Sequence, residues 1–99
     1  MKMVWITCNE SISEELMEIL DSDGIAGYTV WKDVLGKDNR GSNTHWDNAV
    51  FPGKNWAFMI FCQDSNACRL REKLEDFRER PYVKKAGIKA FINDSEEII

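Results

Sequence analysis

Two helical runs set among four strand-like runs, in the order β-α-β-β-α-β, predict an α+β domain: an antiparallel sheet with both helices on one face, the ferredoxin-like sandwich. Two observations carry that reading. Apolar residues recur at steps of three and four only in the two helical runs, and β-branched and aromatic residues concentrate in the four runs around them. A third observation shapes the domain: a long insert, GKDNRGSNTHWDNAVFPGKN, lies between the second and third strands.

The first strand is KMVWITC, Lys2 to Cys8. In NESISEELMEILDSDG, Ser11 and Glu14 have capping-box spacing, so Ser11 is expected to cap a helix and Gly24 to stop it. Ile12, Leu16, Ile19 and Leu20 share the face that this helix buries. The second strand spans Tyr28 to Leu35 and the third Trp56 to Cys62. Asp64 or Ser65 caps the second helix, which buries Ala67, Leu70, Leu74 and Phe77 and ends before Pro81. The fourth strand, Gly87 to Asn93, turns Ile88, Ala90 and Ile92 inward against Lys89 and Phe91. The chain reads as a single domain over residues 1–99, with the loop at 36–55.

A sheet covered on one side should alternate apolar with polar residues. This one does not. Trp56, Phe58 and Ile60 oppose Ala57, Met59 and Phe61, and Val4 and Ile6 oppose Met3 and Trp5, so both faces are apolar. With the helices on one face, the spare cover for the other is a second copy of the chain, or else the tail that ends in Ile98 and Ile99.

The net charge of -4 and the interleaving of Arg69, Arg71, Lys73, Arg78 and Arg80 with acidic residues argue against a nucleic-acid partner. The apolar run at the N-terminus is too short for a signal peptide, which leads to an expected cytoplasmic location. Cys8, Cys62 and Cys68 are odd in number and widely spaced, which indicates neither a disulfide framework nor a thiolate zinc site.

The run GYTVWKDVLGKDNRG, with Gly27, Thr29, Val30, Val34, Gly36 and Gly41 in line, resembles the segment of P-II signal-transduction proteins that ends the second strand and enters their long T-loop. Chain length, element order, and Pro52 and Lys54 ahead of an apolar third strand extend the likeness over the whole chain. On these residues the chain is similar to a divergent member of the nitrogen regulatory protein P-II superfamily. The resemblance implies a homotrimer with its sheets facing the threefold axis, and a regulator of nitrogen metabolism or of an enzyme, not a catalyst. It implies adenine nucleotide binding in clefts between subunits, with a transporter or metabolic enzyme as the regulated target. Residue by residue, Thr29 matches the family's adenosine-side threonine, Gly36 and Gly41 its loop-base glycines, and Lys89 the lysine that opens the fourth strand. Gly27 and Gly87 complete the implied effector site. GKDNRG is shorter than the family's glycine-rich motif and lacks its second glycine, and KKAGIKAF keeps a single glycine before the fourth strand.

The residues of the loop add to that reading. Lys37, Arg40 and Lys54 put three positive charges around it, enough to attract a carboxylate or a phosphate. His45, the chain's one histidine, and Trp46 are candidates for contact with a partner protein. His45 with Asp47 is also a candidate for a divalent metal, the alternative being a trimer of the cation-tolerance type; one histidine with no second His or Cys beside it is a weak ligand set. A module that binds no ligand is the third reading. Thr44 beside His45 is sequence adjacency, not a nucleophile and base held in geometry, and no enzyme is expected.

Overall fold

The computed structural model describes residues 1–22, 24–25, 27–37, 44–45 and 54–99, with the backbone alone at 36–37 and 44–45. The elements are β1 (Lys2–Asn9), a 3-10 turn (Glu10–Ile12), α1 (Ser13–Ser22), β2 (Tyr28–Val34), β3 (Gly36–Lys37), β4 (Thr44–His45), β5 (Asn55–Cys62), α2 (Asp64–Arg78), α3 (Pro81–Ala86) and β6 (Ile88–Asp94). The main sheet runs β2-β5-β1-β6, and every neighbouring pair is antiparallel. This is the ferredoxin-like order, in which each helix returns the chain across the sheet so that β5 inserts between β1 and β2.

One face of the sheet makes the core. Val4, Ile6, Cys8, Phe58 and Ile60 pack against Ile12, Leu16 and Leu20 from the α1 region, Leu70 and Phe77 from α2, and Val83 from α3, all of them buried. Register fixes this face, because Ile6 sits opposite both Phe58 and Ala90, and a slip of one residue would turn every core side chain outward. Lys2 and Asp94 pair across the far end of β1 and β6, and the ladder continues as Ser95 N–H donates to the Met1 carbonyl at 3.0 Å. Among the described residues, no helix is long and apolar enough to cross a membrane.

Three local expectations are corrected and one is extended. The cap of the first helical segment is Asn9, not Ser11: its side chain accepts from Ser11 N–H at 3.0 Å and starts a 3-10 turn that leads into α1. At α2, Gln63 holds the N-cap position without a side-chain bond, so Asp64 lies in the first turn, where its carboxylate faces the helix dipole. Pro81 lies beyond the end of α2, as expected, and also opens a helix of its own. Arg80 is extended, Pro81 takes the first helical position, and Val83 is fully buried, which makes α3 a lid on one end of the core. Ala90 and Ile92 point to the helix side as the alternation requires, yet both are exposed, because β6 is an edge strand and a groove separates it from α2.

Cys8 and Cys62 are buried and Cys68 is exposed, and none of the three is in a disulfide. Burial pushes the Cys8 thiol up to about 12, because the thiolate loses its hydration inside the core. Its neutral form therefore favours the folded state fully below the ordinary thiol value, and that contribution is lost as pH rises toward about 12. Native protein at pH 8 is expected to take up one equivalent of iodoacetamide at Cys68 and three after denaturation, as read by intact mass. Rapid native labelling of Cys8 would contradict the packing.

Candidate functional site

The predicted effector residues fall into two groups. At one end of the sheet, just beyond β2, β3 and β4 form a short antiparallel ribbon of their own, with Gly36 opposite His45 and Lys37 opposite Thr44. The same end holds Lys54, whose carbonyl accepts from Glu10 N–H at 2.7 Å, and Gly87, whose carbonyl accepts from Asn9 N–H at 3.2 Å. Gly87 N–H closes α3 by donating to Val83 at 2.9 Å, and its φ of 96° is one that a side chain would resist. Lys89 follows on β6, opposite Thr7.

Gly27 and Thr29 lie elsewhere. Gly27 to Gly36 is nine residues, about 30 Å of extended chain. Thr29 and Lys89 both belong to the sheet face that carries no helix, but β2 and β6 are its opposite edges, three strand spacings or about 14 Å apart. A Cβ on Gly27 would meet nothing within 4 Å. Within one chain, then, neither crowding nor backbone angle asks for a glycine there. Arg40, Gly41, Trp46 and Asp47 lie outside the described residues, and the His45 side chain is likewise not described. Among the described residues no group of three or more His, Cys, Asp or Glu is arranged to hold a metal ion.

The face without helices is apolar, as the double pattern of β1 and β5 predicts. Met3, Trp5, Trp31, Ala57, Met59, Phe61 and Phe91 share it. Trp5 and Trp31 stack with centroids 6.1 Å apart and planes within 17°, reaching each other across β5. Ala57, opposite Trp31, is small enough to leave them room. Trp31 remains 42% exposed, Phe61 45% and Phe91 67%, a contiguous patch of the kind monomeric proteins seldom leave open. Ile98 and Ile99 stand in solvent, so the tail does not cover it.

Sequence reading missed the construction of β2. Trp31 pairs with Ala57 and Val34 with Asn55, so three steps on β2 match two on β5: a bulge at Lys32–Asp33. Asp33 carries it with φ of 57°, a left-handed conformation that aspartate tolerates better than most residues. The signal was present in YTVWKDV, where two consecutive polar residues interrupt the alternation. The bulge carries Val34 and the loop root to the helix-free face, while Lys32 remains on the other face with its ammonium 4.9 Å from the centre of the Trp56 ring. The indole N–H of Trp56 is buried and has no hydrogen-bond partner among the described residues.

A groove of about 1000 Å³ runs between β6 and the α2–α3 segment. Leu70, Leu74, Val83, Ile88 and Ile92 give it an apolar floor, and it reaches round the edge to Gly87 and Lys89. Neither Gly27 nor Thr29 touches it.

Comparison with known proteins agrees on fold and family. A family model described as Nitrogen regulatory protein P-II matches residues 1–99. No curated protein matches the chain by sequence. Among solved structures, CPII from Thiomonas intermedia K12 bound to ADP and bicarbonate is similar, with 17% identity and a TM-score of 0.71 over 93% of this chain and 82% of that one. The apo form of the same CPII gives 17% identity and a TM-score of 0.67 over 93% and 85%. A putative PII-like signaling protein from Thermus thermophilus gives 20% and 0.64 over 93% and 83%.

Proposed function

The chain belongs to the nitrogen regulatory protein P-II family, and from that premise we propose that it is a cytoplasmic homotrimer that binds an adenine nucleotide between subunits and controls a partner protein through its long loop. One observation carries the reading. The residues that match the family's effector positions are split between opposite edges of one sheet, with Gly27 and Thr29 at β2 and Gly87 and Lys89 at β6, too far apart to hold one small molecule within a chain.

A ring of copies resolves the split. If the sheets pack their apolar faces around an axis, the β2 edge of one copy meets the β6 edge of the next, and the two half-sites become one cleft. Packing of that kind removes Trp5, Trp31, Phe61 and Phe91 from water, and it gives Gly27 a neighbour. In the cleft, Lys89 and the cations Lys37 and Lys54 at the loop root neutralise phosphate oxygens, the Gly87 backbone admits them closely, and Thr29 supplies a hydroxyl to the nucleoside. The solved CPII structures contain ADP, AMP and bicarbonate, which supports adenine nucleotides as the ligands to try first. A nucleotide whose phosphates touch the loop root biases which loop conformation is populated, and so passes ligand state to a target protein.

Calorimetry with ADP, AMP and ATP tests the reading. Saturable binding of at least one, at one site per subunit and lost in Lys89→Glu, is the expected result. Absence of binding by all three would remove nucleotide from the proposal and leave an interaction module.

A further inference from the structure

We propose that the groove between β6 and the α2–α3 segment binds a single-chain amphiphile, an acyl or alkyl chain that ends in a carboxylate or phosphate oxyanion. The inference starts from an opening in the core layer. Ala90 and Ile92 project from β6 to the helix side, where alternation would bury them, yet both are exposed, Ile92 at 43%. Between them and α2 lies the groove of about 1000 Å³, at the upper end of the sizes that hold small molecules. A ring closed through the helix-free faces leaves the helix side facing outward.

The groove has two unlike ends. Along β6 it runs about 13 Å from Ile88 to Ile92. At the Ile92 end its walls are Val4, Ala67, Leu70 and Ala90, and Arg71, midway along α2, is paired with Glu75 at 3.0 Å. At the Ile88 end, where α2 finishes and α3 begins, Arg78 and Lys84 share one carboxylate, Glu79, at 3.7 and 3.1 Å, and Lys89 stands at the rim. Four cations against two carboxylates make the lining positive in a chain whose net charge is -4.

An anionic amphiphile complements both ends. Its chain covers Leu74, Ile88, Ala90 and Ile92, and its head takes the charge-assisted bonds that Glu79 alone divides between two cations. A neutral hydrocarbon leaves the cationic end without a partner, and a short anion leaves the apolar end in water. The head lies against α3, which runs directly into Gly87, so occupancy bears on the start of β6.

Calorimetry on the full-length protein without nucleotide tests this, using sodium hexanoate, octanoate and decanoate and decyl phosphate, all below their micelle concentrations. The expected result is saturable binding at one site per subunit, with an affinity that rises about twofold or more for each added methylene, since a methylene wholly removed from water is worth about fourfold. Binding of decanoate alone identifies a free fatty acid as the ligand type, and binding of decyl phosphate alone identifies a phosphate ester. Ile92→Ser and Lys84→Ala, both at exposed positions that the fold does not depend on, are each expected to weaken binding about fivefold or more. Phe61→Ser, on the helix-free face and outside the groove, should leave it unchanged. Refusal of every chain, an affinity independent of chain length, or weakening by Phe61→Ser and not by Ile92→Ser overturns the proposal. So does binding that appears only as the assembly dissociates in light scattering, because a second copy of the chain then fills the groove. No step requires ADP, so this site and the nucleotide cleft stand or fall separately.

Discussion

Met59→Lys is expected to leave the subunit folded and to dissociate the assembly, whereas the neighbouring Phe58→Asp is expected to unfold the subunit itself. Adjacent residues on one strand project to opposite faces. Phe58 is fully buried, opposite Ile6 and Val30, with Tyr28 and Trp56 rings about it. A carboxylate there has no counter-charge and replaces one of the two largest side chains of the core, so the cost exceeds about 4 kcal/mol, against the roughly 5–15 kcal/mol that holds a domain of this size. Met59 lies between Thr29 and Trp5 on the helix-free face. In an isolated subunit a lysine there reaches water with its stem along the apolar surface, at a cost of about 1 kcal/mol or less. In an assembly the same charge is sealed in an apolar interface. Light scattering with far-ultraviolet dichroism separates the outcomes. The account expects a folded species of one-subunit mass for Met59→Lys and loss of secondary structure for Phe58→Asp; an unmodified protein that is itself monomeric would contradict it.

Deleting residues 38–48 is expected to leave folding and assembly intact and to abolish control of the partner. Val34 and Asn55 pair at the root, and the deletion leaves about nine residues between strands that are already held in register, an ordinary length for such a connection. Loop closure favours the shorter chain by less than about 1 kcal/mol. The segment removed contains Thr44 and His45, which pair with Lys37 and Gly36 in the ribbon, together with Arg40, Gly41, Trp46 and Asp47. Thermal unfolding close to that of the parent protein, together with loss of capture of a target by the immobilised protein, is the expected pair of results. Retained capture would show that the loop is a spacer and that recognition lies on the body of the subunit.

Elements with strong periodicity were legible. Ile12, Leu16 and Leu20, then Leu70, Leu74 and Phe77, mark helices whatever their surroundings, and the doubly apolar β1 and β5 correctly announced a sheet whose helix-free face is also apolar. What escaped was decided by contacts distant in sequence or by single backbone angles. Asn9 took the cap from Ser11 because its own extended backbone aims its side chain back at the turn. α3 was hidden because a proline beyond the end of one helix can also start another, and the burial of Val83 holds that second helix to the core. The bulge at Lys32–Asp33 depends on register with β5, which pattern alone does not set. The positions proposed for the effector fall on strands and turns, yet no linear reading could say that Thr29 and Lys89 sit on opposite edges, since that follows from the order in which the strands assemble.

The most direct test of the account is complementation between two defective subunits. Thr29→Trp and Lys89→Glu each damage one half of the proposed cleft, and neither homotrimer should bind ADP in calorimetry. Denatured together in equal amounts and refolded, they should form mixed rings in which about a quarter of the clefts draw an intact Thr29 from one subunit and an intact Lys89 from the next. Recovery of ADP binding at about that stoichiometry, with the affinity of the parent protein, is the predicted result. Mixed rings that form but bind no ADP would contradict a site built between neighbouring copies.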